Sequence, residues 1–312
     1  MWLWGFNSAS FIYKTVHMNR RTLLKGLATF SAIGFGTATY GVVIEAGLML
    51  NTTAYAFTPP KWTPGLKLRA VAIADPHVVE PWFPISRWQH VLEAVQALNP
   101  DIIFMLGDYI TGMRLRTSNI PVNEIAQAAG KLHAPLGVYS INGNHDYWGD
   151  FALQRIGHGK PAIQMAFEDV GIPVLTNKAV RLVKDGLPFW VTGTDSIIAF
   201  FKQGGGFDGR DDLPGTLAQV TDDAPIIHLA HEPDMFARMP ERVSLTLSGH
   251  THGGQVVIAG HALYVPSQYG RRYRYGPIVE GGKHLIVSGG LGCSTLPIRI
   301  GVPPEINLLE LG

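Results

Sequence analysis

The sequence predicts an α/β protein with an at least partly parallel sheet, on three observations. From Leu68 onward, short apolar runs alternate with stretches of helical periodicity. The chain has 36 glycines and 21 prolines in 312 residues, which suits the many tight connections of alternating strands and helices. Finally, five apolar runs end in polar clusters: Asp75-Pro76-His77, Gly107-Asp108, Gly143-Asn144-His145-Asp146, His231 and His250-Thr251-His252. Right-handed crossovers line up strand C-terminal ends along one edge, where ligands collect, so residues distant in sequence meet on one rim.

The length fits one α/β catalytic domain plus an anchor, with boundaries expected at 1–17 for an upstream extension, 18–45 for a signal or anchor, and 46–312 for the domain. Net charge is +1, from 25 basic and 24 acidic residues, so there is no electrostatic case for nucleic-acid binding. The single cysteine, Cys293, excludes an internal disulfide and a thiolate-rich metal site. Twelve histidines leave a His/Asp/Asn site for harder or borderline metals open.

Asn19-Arg20-Arg21-Thr22-Leu23-Leu24-Lys25 resembles the twin-arginine export signal, and Met1 to His17 precede it without an evident fold, as if translation begins at Met18. The apolar, Gly/Ala-rich stretch from Gly26 to Ile44, counted from Thr22, is about long enough to cross a hydrocarbon core at roughly 20 residues per span. A Sec n-region or a plain transmembrane helix with a positive inside end are the alternatives. Ala54-Tyr55-Ala56 reads as a signal-peptidase site, yet Leu48 to Ala56 alternates as a first strand does, which favours an uncleaved anchor in a bacterial inner membrane.

Leu68 to Ala74 reads as a strand buried on both faces. Ser86 and Gln89 have capping-box spacing, Trp88, Val91, Leu92, Val95 and Leu98 recur at helical intervals, and Asn99-Pro100 ends that helix. Asp101 to Leu106 is the next strand, followed by a helix around Val122 to His133 and a strand over Pro135 to Ile141. Beyond Asp150, a helix over Ala162 to Val170 and a strand over Ile172 to Leu175 precede a hairpin of Val180 to Val183 with Phe189 to Thr192. Further strands are expected over Pro225 to Ala230, Leu245 to Ser248, Val256 to Ala259, Ala262 to Pro266, His284 to Ser288 and Ile306 to Leu311. Ile197, Ile198, Phe200 and Phe201 form an apolar patch before Gly204-Gly205-Gly206, either a loop packed on the core or a lipid-contacting lip.

Singly, each polar cluster is weak or moderate evidence, because Asp and His at a strand end often only close a turn. Together and in this order they identify the chain, from about Leu48 to Leu311, as resembling the calcineurin-like metallophosphoesterase superfamily. The twin-arginine start, Gly249-His250-Thr251-His252-Gly253-Gly254-Gln255, Gly290-Leu291-Gly292, Pro297-Ile298-Arg299 and Pro304-Glu305 resemble its membrane-associated bacterial branch, some of which are similar to UDP-2,3-diacylglucosamine pyrophosphatases of lipid A synthesis. The resemblance implies the metallo-dependent phosphatase fold: two mixed sheets packed as a sandwich with flanking helices. It also implies Asp75, His77 and His252 on one metal, Asn144, His231 and His250 on the other, and Asp108 between them.

Two divalent cations about 3.5–4 Å apart repel, so a bridging carboxylate suits them, and a metal-activated hydroxide would attack phosphorus in line. Oxygen and imidazole ligands suit Mn²⁺, the expected ion, and also Fe or Zn²⁺. His145, adjacent to a ligand but without a metal role in that scheme, is assigned as general acid. Asp146 either orients it or caps a turn. Some relatives carry an aspartate three residues beyond the bridging one, where this chain has Thr111. Gln255 is expected to touch substrate, Gly253 and Gly254 to let backbone approach the metals, and Arg114 and Arg116 to lie in a solvated loop. His228, three residues before His231, faces the other side of its strand and is structural, while His90 and His133 are surface residues.

The expected function is therefore hydrolysis of a phosphodiester or pyrophosphate bond, with a lipid-linked nucleotide as one substrate class and the catalytic domain on the periplasmic face. A phosphoesterase on soluble substrates and a non-catalytic metal-binding membrane module are the alternatives. Terminal sequencing of the mature protein tests the anchor: retention of residues ahead of Phe57 is expected, and a mature start at Phe57 overturns it.

Overall fold

A computed structural model describes residues 34–312, so the extension, the paired arginines and the first part of the apolar stretch after them, 26–33, lie outside the described residues. Among the described residues no helix is long and apolar enough to cross a membrane. One compact unit covers Tyr40–Gly312. It begins with a π-helical segment, Tyr40–Leu48, whose Gly41 and Glu45 are buried. The Arg299 amide donates to Gly41 O at 3.0 Å, and the Val302 amide donates to Glu45 Oε1 at 2.8 Å. A Cβ on Gly41 would press on Ile298 and the Arg299 carbonyl, at 2.8 and 2.9 Å, so the contact requires glycine.

Two mixed sheets face each other. The first contains β1 (Asn51–Phe57), β2 (Leu68–Ile73), β3 (Ile102–Met105), β4 (Val138–Ser140) and, at the chain's end, Glu305–Leu311. The second contains β5 (Lys178–Lys184), β6 (Leu187–Gly193), β7 (Ile226–Leu229), β8 (Leu245–Ser248), β9 (Gly276–Glu280) and β10 (Lys283–Val287). With Glu305–Leu311 labelled β11, the spatial orders are β1-β11-β2-β3-β4 and β9-β10-β8-β7-β6-β5. β2, β3 and β4 run parallel, as do β6, β7, β8 and β10, whereas β11 against β2 and the two outer hairpins are antiparallel. The Gly276–Glu280 strand escaped the sequence reading.

The apolar runs look continuous in sequence because each strand is covered on both faces. Alternation divides them: Ala70, Ala72, Ile102 and Phe104 face the second sheet, meeting Phe189, Val191, Ile227, Leu229 and Leu247. Val71, Ile73, Ile103 and Met105 face outward onto helices α1 (Ile85–Ala97), α2 (Val122–Ala129) and, beyond two short helices, Ala162–Asp169. On the far side of the second sheet, Trp190, Ile226, Leu285 and Val287 pack with Met235 and Phe236 of a 3₁₀ turn, Pro233–Arg238.

Local expectations fared unevenly. Helix α1 starts after Pro84 with no side-chain cap, so Ser86 does not cap it. Ile172 to Leu175 makes only one bridge, Val174 to Ser140, and Val256 to Pro266 makes a two-residue pairing, Val257–Ile258 with His261–Ala262, and a bridge from Val256 to Ile300. His228 is buried in β7 between Thr192 Oγ1, 2.8 Å from Nδ1, and Thr194 Oγ1, 3.2 Å from Nε2. Burial pushes its pKa down to about 3, which makes it a neutral core residue.

Phe104 is fully buried between the sheets, so Phe104→Ala leaves a cavity with little freedom to collapse. Urea unfolding is expected to show a loss of about 3–5 kcal/mol. Val183→Ala, on a half-exposed outer position, is expected to stay within about 0.5 kcal/mol.

Candidate metal centre

The parallel strands put their C-terminal ends on one edge, and each releases a polar cluster there. β2 leads to Asp75 and His77, β3 to Asp108, β4 to Asn144, β7 to His231, and β8 to His250 and His252. Five of these residues have positive φ: Asp75 (54°), His77 (45°), Asp108 (59°), His250 (70°) and His252 (51°). Such backbone costs of order 1–3 kcal/mol for a residue with a Cβ and concentrates where function over-determines it. Asp75 N donates to Gly107 O at 3.0 Å and His77 N to Asp108 O at 3.1 Å, so the first two strand ends brace each other. Gly143 allows the closest approach, since a Cβ there would collide with the Asp108 carboxylate.

The side chains form two groups, connected by a third that consists of His77, Asp108 and His145. Donor atoms of Asp75, His77 and His252 lie within 4.8 Å of one another, as do those of Asp108, His231 and His250. His77 Nε2 is 3.6 Å and His231 Nε2 3.2 Å from Asp108 Oδ2, which places that oxygen between the halves. Each half is tied down from behind: His231 Nδ1 is 2.7 Å from Leu106 O, His77 Nδ1 3.0 Å from Ile110 O, and His252 Nδ1 3.2 Å from Gly292 O. A ring whose Nδ1–H donates to a carbonyl presents Nε2 as a bare lone pair, the form that binds metal.

Burial sets the protonation. It pushes Asp75 up to about 7, with Asp108 adding repulsion, and drives His77 and His250 down to about 3. Burial also lowers His252, helped by His77. At Asp108 burial acts upward, but His231, His145 and His77 outweigh it and hold the carboxyl below its usual range. His231, lowered by burial alone, is carried above its usual value by Asp108.

A second observation fits cations to the site. Asn144 is fully buried, yet neither its amide oxygen nor its nitrogen has a hydrogen-bond partner, and His231 Nε2 has none either. Unpaired buried polar atoms are costly, and a divalent ion at the Asp108/His231/His250 half would satisfy both. The oxygen and imidazole donor set suits divalent ions of the first transition row or Mg²⁺.

His145 follows on α3 (Asn144–Trp148), with its amide donating to Asp108 Oδ1 at 2.7 Å. Its ring lies 4.9 Å from that of His77 and 5.1 Å from Trp148, and a Cβ on Gly112 would sit 2.9 Å from it. Packing therefore orients the imidazole, and Thr111 spends its hydroxyl accepting from Met113 N at 3.0 Å. Asp146 does not orient His145. Its oxygens accept from the amides of Asp108 (2.9 Å), Gly143 (2.8 Å), Tyr109 (2.9 Å) and Ile110 (3.3 Å), so it pins the bridging loop to α3. Gln255 lines the cleft, but its amide is engaged with Leu296 O at 2.9 Å and Ser294 N at 3.3 Å, which makes it a support of that loop rather than a free substrate contact. Arg114 and Arg116 do not line the cleft.

The roles of three contributors escaped the sequence reading. Trp148, one helical turn beyond His145, had a readable signal in its spacing. Glu232, buried beside His231, takes Ser196 Oγ at 2.5 Å and Ile197 N at 3.1 Å, and nothing in the sequence distinguishes it from a turn residue. Arg299 is fully buried and donates to Gly289 O at 2.8 Å, Gly292 O at 2.9 Å and Val302 O at 2.9 Å, beside His252.

A sandwich with Asp, Asn and His converging on two adjoining cation positions defines a metal-dependent phosphoester hydrolase. Residues 68–254 match the model of the calcineurin-like phosphoesterases. The chain belongs to that family. It is 29% identical over 305 residues to the uncharacterized metallophosphoesterase YkuE of Bacillus subtilis, covering 94% of this chain and 98% of that protein. An uncharacterized metallophosphoesterase of Aquifex aeolicus is 26% identical, covering 84% and 92%. A transmembrane protein with metallophosphoesterase domain from Danio rerio is 29% identical over 78% of this chain, which spans 53% of that protein.

Mn²⁺-loaded protein is expected to hold about two ions by elemental analysis, and Asn144→Ala about one. Asp146→Ala, which frees the bridging loop, is expected to weaken metal binding by about 10–100-fold in calorimetric titration.

Proposed function

We propose that the protein hydrolyses a phosphodiester or pyrophosphate bond at this centre. The reading rests on Asp108 standing between an Asp75/His77/His252 group and the imidazoles of His231 and His250, with Asp108, Asn144, His250 and His252 lining one cleft. When bound, two divalent ions supply positive charge for the phosphoryl oxygens and a lowered pKa for a water nucleophile. The chain's own residues do the rest. Asp108 fixes the spacing of the two halves, Asp146 fixes Asp108, and His145 stands at the cleft wall to protonate the departing oxygen. Burial lowers the His145 pKa, which makes its protonated form a stronger acid toward a leaving group.

We assign Mn²⁺ as the working ion pair, with Fe and Zn²⁺ as competitors for the same donors. A cleft of about 1240 Å³ with apolar lips supports an amphiphilic substrate, and a lipid-linked nucleotide such as UDP-2,3-diacylglucosamine is the member of that class we favour. An N-terminal membrane anchor holding the domain on the periplasmic face agrees with such a substrate.

Mn²⁺-loaded protein is expected to hydrolyse bis-p-nitrophenyl phosphate. His145→Ala should lower kcat by about 10²–10⁴-fold with both ions retained. Asp108→Asn should lose activity together with metal. Wild-type rates in both variants would refute the mechanism, and faster turnover of soluble nucleotides than of UDP-2,3-diacylglucosamine would refute the lipid assignment.

A further inference from the structure

The aromatic residues beside His145 form an arrangement that the chemistry above does not use. Trp148 stacks on Phe207 at 5.1 Å and 14°, and lies 5.0 Å from Phe201, which in turn is 5.6 Å from Phe207. Phe201 and Phe207 sit on a two-residue antiparallel pair, Phe200–Phe201 with Phe207–Asp208, closed through Gly204-Gly205-Gly206. All three glycines have φ between 84° and 103°, a tip that only glycine adopts without strain. The hairpin is held from beneath: Trp148 Nε1 donates to Ile198 O at 2.8 Å, and Glu232 takes the amide of Ile197.

Despite this support the rings are not a core. Phe207 is 41% exposed and lines the cleft, as do Leu263, Tyr264 and Leu296 at 70%, 73% and 52%, while Phe201, 57% exposed, backs Phe207. Large exposed apolar side chains lining one cleft mark a binding surface. The indole is already packed by Phe207, Phe201 and His145, and its N–H is spent on Ile198. What remains for a ligand is an apolar face without hydrogen-bond donors, suited to a hydrocarbon body and poorly suited to reading a nucleobase.

Position assigns this face a role. A general acid lies on the side from which the leaving group departs, and Trp148 stands directly against the His145 ring. We propose that the Trp148–Phe207 face, backed by Phe201, is a leaving-group subsite that takes an alcohol or phosphate bearing a large hydrocarbon body. The proposal rests on the phosphoesterase reading with His145 as acid, and specifies which half of the substrate is apolar.

Three diesters test it on the Mn²⁺-loaded full chain: methyl nitrophenyl phosphate, the same ester with an octyl chain on the departing nitrophenol, and octyl nitrophenyl phosphate, with the chain on the retained side. The chain on the departing side is expected to lower KM about 10-fold or more, and the chain on the retained side to give little of that gain. Phe207→Ala should abolish the gain and Phe201→Ala, which removes the support of Phe207, should reduce it, whereas Val279→Ala, on an exposed outer strand, should keep it. Equal gains from both chains, or gains untouched by the phenylalanine variants, would overturn the subsite. If no diester is hydrolysed, the phosphoesterase reading fails. Calorimetric binding of octyl-nitrophenol then decides the subsite separately: it stands if binding weakens in Phe207→Ala and falls if there is no binding or no change.

Discussion

Three carboxylates buried within one loop cluster, Asp75, Asp108 and Asp146, set the terms for the rest of the structure. Each would cost several kcal/mol if left ionised without partners. The fold answers each in a different way. Asp146 is met by four backbone amides, so its charge is spent on holding two strand ends together. Asp75 receives the His250 amide on both oxygens at 3.0 Å, which ties the first sheet's edge to the second. Asp108 keeps one oxygen for the His145 amide and turns the other toward imidazoles, which is where cations belong.

That demand explains the backbone around the centre. Five ligand residues in left-handed conformation could not persist on loops that were free to relax. They are trapped because the strands behind them are buried on both faces and because glycines at 107, 143, 249, 290 and 292 leave no room for a Cβ. Arg299 completes the frame from the far side by gathering the carbonyls of Gly289, Gly292 and Val302. The guanidinium thus organises the loop carrying the partner of His252, a job for five donors in a fixed fork and not for a lysine.

Much of this could be read from residue order. The five polar clusters were visible because Asp, Asn and His at the ends of apolar runs are poor packing residues, and the structure places Asp75, His77, Asp108, His231, His250 and His252 in adjoining groups, with Asn144 lining the same cleft as Asp108, His250 and His252. Helices α1 and α2 were legible from periodicity, although their ends shifted because Pro84 starts one and Gly130 stops the other. Asp146 and Gln255 were harder. Their side chains answer backbone groups on other loops, and no one-dimensional pattern shows which loop will lie within 3 Å. Glu232 and Trp148 were illegible or overlooked for the same reason: their meaning depends on the segment from Ser196 to Asp208, which is distant from both in sequence.

The first strand and the last lie side by side: Asn51 to Phe57 pair in parallel register with Glu305 to Leu311, and Thr53 hydrogen-bonds to Glu305. β11 also separates β1 from β2. The centre of the first sheet therefore stays open until Glu305–Leu311 is made, and β2 waits without one neighbour through all the intervening sequence. Contacts of such long sequence separation form late and slowly. The edge that carries Asp75 is consequently completed late, and the polypeptide has to be kept together through that delay before it can take up metal.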